Sequence, residues 1–210
     1  MRGSPELRTT GWVVVVPLKA ATVGKSRLRG EGRADELVRA IGLDTVEAAS
    51  AAASVARVIV VTADAATAAE AAGIPGVEVV AETEPLGLNA AIALGAAAAG
   101  DAPRAALLGD LPALHPDDLD AALAAAAAVD RGVVPDADGT GSTLVTAGVG
   151  VAWASLFGAD SFARHRTLGC VPIEVPAASG LRRDVDTAEQ LAAAASLGLG
   201  PRSAALLALR

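Results

Sequence analysis

Short apolar runs alternate along this chain with longer windows in which alanine and leucine recur at helical spacing. WVVVVP (12–17), ARVIVVTAD (56–64), GVEVVAE (76–82) and RAALLGD (104–110) are too short for helices and end at Pro, Asp or Glu. Runs without a polar face belong to strands covered on both sides. The windows between them predict helices over 34–50, 66–73, 88–100 and 115–128. In the first, Leu37, Ile41, Thr45 and Ala48 share one face. In the last, Pro116 sits in the first turn, and Asp117 and Asp118 suit the positive end of the helix dipole.

The C-terminal half continues with two strands, RGVVPD (131–136) and STLVTAGV (142–149), around the turn-rich stretch DADGTGS. A short helix over 161–169, a strand CVPIEVP (170–176) and a helix over 186–198 follow. Asp186-Thr187-Ala188-Glu189 opens that last helix with an N-cap signature. Strands alternating with helices imply crossover units and a mainly parallel sheet with helices on both faces. The expected architecture is one doubly wound α/β domain over residues 12–210, preceded by a flexible N-terminus over 1–11. Ligands of such sheets bind outside the carboxyl ends of the strands. Three features fall there: a basic loop after the first strand, Asp110 after the fourth, and Asp136 after the next.

Composition narrows the class. The apolar fraction of 52% comes largely from alanine, with only two Trp and two Phe. Cys170 is the single cysteine, so neither a disulfide framework nor a cysteine metal site is available. The net charge of −7 argues against a general nucleic-acid surface. Gly, Pro and charges interrupt every apolar run before it reaches the length of a membrane span. A soluble cytoplasmic protein is the expectation.

Three stretches carry candidate chemistry. KAATVGKS (19–26) is one residue short of a P-loop, because Lys19 stands where the first glycine belongs. Under a P-loop reading, ALLGD would supply a Walker B aspartate. Without it, Lys19, Lys25, Arg27 and Arg29 can meet a polyphosphate as point charges, or form a solvated loop. In GLRRDVDT (180–187), an extended segment would put Asp184 and Asp186 on one side. Two such carboxylates repel unless a cation compensates, and their oxygens suit Mg²⁺ shared with substrate phosphates. The plainer alternative has Asp186 capping the next helix while Asp184 pairs with Arg182 or Arg183. DGTGS and GADSFARHR (138–142, 158–166) offer glycine amides, Ser142, Thr143, Ser161, Arg164, His165 and Arg166 to a small anion. They also read as a β-turn and a serine cap. His115 reads as a surface helix-start residue, and Cys170, Trp12 and Trp153 as packing residues.

Together these stretches resemble a known family. The series is a K-x(5)-K-x-R loop, Leu88-Asn89 opening a helix, GDLPAL (109–114), GTG followed by a hydroxyl, FGxDSxxRH (157–165) and GLRxDVDT. It is similar to the CofC/FbiD guanylyltransferases of coenzyme F-420 biosynthesis across roughly residues 12 to 207. The resemblance implies a single Rossmann-like nucleotidyltransferase domain that moves GMP from GTP onto a small phosphorylated acid. Phosphoenolpyruvate is the favoured acceptor, giving enolpyruvoyl-2-diphospho-5′-guanosine and diphosphate; 2-phospho-L-lactate and 3-phosphoglycerate are the alternatives. Carried over by position, Asp110, Asp184 and Asp186 hold Mg²⁺. Ser142, Gly158 and Ser161 contact phosphoenolpyruvate, with Thr143 competing for the role of Ser142. Lys19, Lys25 and Arg27 act on the polyphosphate, and Asn89 contacts the nucleoside unless it is a plain helix cap. Handover of the product to the next pathway enzyme follows from the family. A P-loop-type hydrolase or kinase and a non-catalytic nucleotide sensor are the other classes open at this level.

Overall fold

Trp12–Pro17 forms β1, buried along its whole length as an apolar run without a polar face requires. The computed structural model describes residues 11–18 and 34–209. After β1 come α1 (Ala34–Ala51), β2 (Val55–Thr62), α2 (Ala65–Ala71), β3 (Val77–Ala81), α3 (Leu88–Ala98) and β4 (Arg104–Leu107). The chain continues through α4 (Pro116–Ala126), β5 (Arg131–Pro135), β6 (Ser142–Ala147), α5 (Ser161–Thr167), β7 (Val171–Pro172), α6 (Ala188–Ala195) and α7 (Pro201–Ala208).

The pleat of β1 divides the core. Trp12, Val14 and Val16 pack in a cluster with Leu43 and Val46 of α1 and Leu119 and Leu123 of α4. Val13 and Val15 face the opposite layer with Ile59, Val61 and Ala91. Helices therefore cover both faces, as the sequence predicts. Truncating a fully buried leucine such as Leu119 or Leu123 to Ala costs about 2–5 kcal/mol. Gly95 lets α3 lie close on the sheet: a Cβ there would meet Val15 Cγ1 at 2.4 Å.

The strand order is β3-β2-β1-β4-β6-β5-β7. Only β6 runs against its neighbours, antiparallel to both β4 and β5. The connection from β5 to β6 is too short for a crossover, so a hairpin is its only solution. Asp136 closes that hairpin, accepting the amides of Thr140 at 3.0 Å and Gly141 at 2.7 Å.

The C-terminal region differs from the periodicity reading in three ways. The expected strand over 170–176 shrinks to Val171–Pro172, an exposed edge where proline offers no donor. Thr187, not Asp186, caps α6, in a reciprocal box with Gln190. A further helix, α7, follows Gly200, and its cap comes from afar. The carboxylate of buried Asp44 in α1 accepts the amides of Arg202 at 3.0 Å and Ser203 at 2.8 Å. Local sequence carries no sign of that cap.

Candidate active site

A cleft of about 550 Å³ opens at the carboxyl edge of the sheet. Pro17, Leu18, Arg39, Thr67 and Leu88 line it over β1 and β2; Asp110 lines it beyond β4; Ser142, Phe157, Gly158 and Ser161 line it over β6. Asp184 and Asp186 enter from the segment before α6.

Asp110 is held by what surrounds its backbone. Its neighbour Leu111 is fully buried, and the Leu111 amide donates to Thr45 Oγ1 at 3.2 Å. Thr45 in turn donates to the Ile41 carbonyl at 3.0 Å, so α1 anchors the turn. The Asp110 carbonyl accepts the amide of Val185 at 3.0 Å, which docks the distant DVD segment against it. Val185 is fully buried among Leu37, Ile41 and Leu191. Side chains alternate along extended backbone, so with Val185 turned into the core, Asp184 and Asp186 face the cleft.

A 3-10 turn over Gly180–Arg182 brings this segment in. A Cβ at Gly180 would lie 1.7 Å from the Ala113 carbonyl oxygen, so only glycine permits the approach to the GDLPAL loop. The plainer alternatives for the aspartates fail here. Arg182 donates to the carbonyls of Pro135 and Asp136, and Arg183 to that of Ala177. Neither guanidinium pairs with Asp184, and Thr187 takes the cap that the plainer alternative gave to Asp186.

The electrostatic consequence falls on Asp184. Burial and the neighbouring carboxylates of Asp110, Asp136 and Asp186 push its pKa up to about 7. Asp160 adds a further carboxylate to the cleft wall from a left-handed backbone position, φ 52°. Among the described residues, no three acidic, imidazole or thiol side chains are gathered tightly enough to hold an ion by themselves. The donor set is nonetheless all hard oxygen, and among the described residues no cation pairs with Asp184, which suits a divalent cation sharing its shell with substrate phosphates.

Over β6 the walls are hydroxyls. Ser142 and Ser161 are buried, and Ser142 Oγ lies 3.0 Å from His165 Nδ1. His165 is wholly buried, and its Nε2 accepts the Leu156 amide at 2.9 Å. Burial first, and the charge of Arg164 second, lower its pKa to about 4. Its ring meets Phe157 edge-on at 4.8 Å. Thr143, fully buried, is not among the lining residues, so Ser142 is the hydroxyl that the structure gives to the cleft. Gly158 stands at φ 126°, a backbone state that glycine permits.

Asn89 is not the cap of α3, whose N-cap is Gly87. Its Nδ2 donates to the Phe157 carbonyl, and its Oδ1 accepts the Phe157 amide, each at 2.9 Å. This two-point grip fixes the strand of chain that delivers Gly158; Asn89 neither caps α3 nor lines the cleft. Lys19, Lys25 and Arg27 lie outside the described residues. Arg39, which no motif marks, also lines the cleft, with its guanidinium 4.0 Å from Asp64 and 3.7 Å from Glu70. Asp160 has no role in the motifs beyond its place in FGxDSxxRH, and Asp tolerates left-handed backbone better than most residues. His115 is an exposed cap accepting the Asp117 amide at 3.4 Å, and Cys170 is buried, both as expected.

A carboxylate-and-hydroxyl cleft beyond the carboxyl edge of an α/β sheet lies where ligands of such folds bind. The fold is shared with a protein from Desulfovibrio desulfuricans G20 provisionally described as a nucleotide-diphospho-sugar transferase. That structure has a TM-score of 0.67 at 16% identity, over 95% of each chain. It is shared too with Rv0371c of Mycobacterium tuberculosis H37Rv, solved in complex with manganese. There the TM-score is 0.51 at 21% identity, over 88% of this chain and 97% of that one.

The chain belongs to the CofC-like guanylyl transferases. The family described as "Guanylyl transferase CofC like" matches residues 12–171. The phosphoenolpyruvate guanylyltransferase of Streptomyces coelicolor is 47% identical over 204 residues, covering 94% of this chain and 96% of the relative. The family expected from the motifs is thus confirmed.

Proposed function

We propose that this enzyme transfers GMP from GTP to phosphoenolpyruvate, releasing diphosphate and forming enolpyruvoyl-2-diphospho-5′-guanosine for coenzyme F-420 biosynthesis. The observation that carries the reading is the docking of the DVD pair beside Asp110, facing Ser142 and Ser161 across one cleft. The acceptor follows from the relative's name, and two buried hydroxyls beside Gly158 suit a small anion.

The phosphate of such an acceptor is already anionic, so its attack on the α-phosphorus of GTP needs no general base. The obstacle is charge. The described cleft wall carries Asp110, Asp136, Asp160, Asp184 and Asp186 against the one guanidinium of Arg39, and a polyphosphate entering it alone would be repelled. Mg²⁺ held by Asp110, Asp184 and Asp186 would neutralise that repulsion and the charge that develops on the departing diphosphate. Lys19, Lys25 and Arg27 are assigned to the polyphosphate on their position after β1. Ser142, Gly158 and Ser161 orient the acceptor, and Asn89 supports them by fixing Phe157. Diphosphate release from GTP, followed with phosphoenolpyruvate, 2-phospho-L-lactate or 3-phosphoglycerate and with no acid, tests the reading. Release that is fastest with phosphoenolpyruvate supports it; release without any acid contradicts it. Residues 12–210 act as one catalytic unit in the cytoplasm, and the product passes to the next enzyme of the pathway.

A further inference from the structure

We infer that His165 is a positioning residue: a neutral imidazole protonated on Nδ1 that turns the Ser142 hydroxyl into a fixed hydrogen-bond donor toward the acceptor anion. The inference rests on the assignment of Ser142 to the acceptor.

The tautomer follows from partners rather than from proximity. A backbone amide can only donate, and the Leu156 amide points at Nε2 at 2.9 Å, so Nε2 carries the lone pair. A neutral ring then bears its hydrogen on Nδ1, which faces Ser142 Oγ at 3.0 Å. A doubly protonated ring would set N–H against N–H at Leu156, in a site without exposure to water. The Nδ1 hydrogen also meets the Ser161 carbonyl, which is the contact that acts to raise the His165 pKa. The Ser142 hydroxyl shares this donor from behind and keeps its own proton for another partner. Ser142 lines the cleft, so that proton is aimed where an anion would sit. A hydroxyl free to rotate presents lone pairs to an anion part of the time; one polarised by His165 presents hydrogen throughout.

His165 is held rigidly for this task. Its ring is packed edge-on against Phe157, whose backbone is gripped by Asn89. The device therefore links α3, the 155–158 segment, α5 and the first residue of β6.

Two substitutions separate positioning from mere packing, because Asn and Gln each keep one of the two ring contacts. The Asn amide branches at the same carbon as Nδ1, so His165→Asn can still donate to Ser142 while losing the Leu156 contact. The Gln amide reaches the Nε2 position, so His165→Gln can still accept from Leu156 while losing the donor to Ser142. The expected result is a KM for phosphoenolpyruvate raised on the order of tenfold to a hundredfold in His165→Gln. His165→Asn should stay within about threefold of wild type, and the KM for GTP should move in neither. Ser142→Ala should match His165→Gln, and the double variant should show no further loss.

Equal losses in the Asn and Gln variants would overturn the inference. Since both variants remove packing, the wild-type protein supplies an independent reading. Long-range ¹H–¹⁵N correlation spectra of its two histidines should show His165 as the Nδ1–H tautomer at neutral pH. An Nε2–H tautomer would also overturn the inference. If no phosphorylated acid supports diphosphate release in wild type, the acceptor assignment fails instead, while the tautomer still reports on the His165–Ser142 bond.

Discussion

The amide of Val185 donates to the carbonyl of Asp110 at 3.0 Å, joining the end of β4 to a segment that arrives much later in the chain. With Val185 in the core, this one bond places Asp184 and Asp186 beside Asp110. It makes the acidic site a product of tertiary docking, so its integrity should depend on the packing behind it.

Gly180→Ala is the sharpest test of that docking. The new Cβ would meet the Ala113 carbonyl oxygen at 1.7 Å, and backbone cannot yield as a flexible side chain does. A stability loss of about 1–3 kcal/mol is expected from overpacking. Turnover should fall further than stability alone explains, with the divalent-cation concentration needed for half-maximal rate rising. Chemical denaturation and metal titration check the two parts separately.

Asp184→Asn should separate stability from function. In the fold its carboxyl titrates near 7 against a reference of 3.8, because burial and the carboxylates of Asp110, Asp136 and Asp186 oppose ionisation. A raised carboxyl favours the native state at pH below 3.8, and that advantage is lost as pH climbs through 7. At pH 8 the metal-free wild type therefore carries an ionised group that the fold disfavours. Asp184→Asn should melt higher than wild type at pH 8 in EDTA, gain less from added Mg²⁺, and lose at least about 100-fold in turnover. Thermal melts with and without the cation decide it.

His165 produces the opposite slope. Its pKa in the fold is near 4 against 6.5 for a free imidazole, so the unfolded chain takes up a proton first as pH falls. Its contribution is complete above pH 6.5 and is lost on acidification toward 4. His165→Asn should flatten the decline between these values, while Asp184→Asn should steepen it. Unfolding midpoints at a series of pH values for the three proteins check both signs.

Asn89 should affect one substrate selectively. Asn89→Leu leaves the amide and carbonyl of Phe157 without their partner, a cost of about 1–3 kcal/mol for each buried group. Because Phe157 adjoins Gly158, the KM for the acceptor should rise while that for GTP changes little. Initial rates with each substrate varied in turn give the answer.

The sheet was largely legible in the sequence because its signals are local. Apolar runs in β1 and β2, Pro116 at the start of α4 and the DADGTGS turn each act within a few residues. The mainly parallel expectation holds, and its one antiparallel strand among those described, β6, is implied by the length of the hairpin loop. What stayed hidden depends on partners distant in sequence. Asp44 caps α7, and Asn89 grips Phe157 from far along the chain. The D-x-D spacing announced two carboxylates on one side. Only the burial of Val185 sets them toward the cleft, and only the engagement of Arg182 and Arg183 with carbonyls keeps those two guanidinium groups off Asp184.

Diphosphate release from GTP, measured with and without phosphoenolpyruvate and with and without Mg²⁺, in wild type and Asp184→Asn, tests the central claim most directly. The account predicts rapid release only when wild-type enzyme, acid and divalent cation are all present, with Asp184→Asn reduced at least about 100-fold. Acid-independent release, or near-normal rates in Asp184→Asn at saturating Mg²⁺, would contradict it.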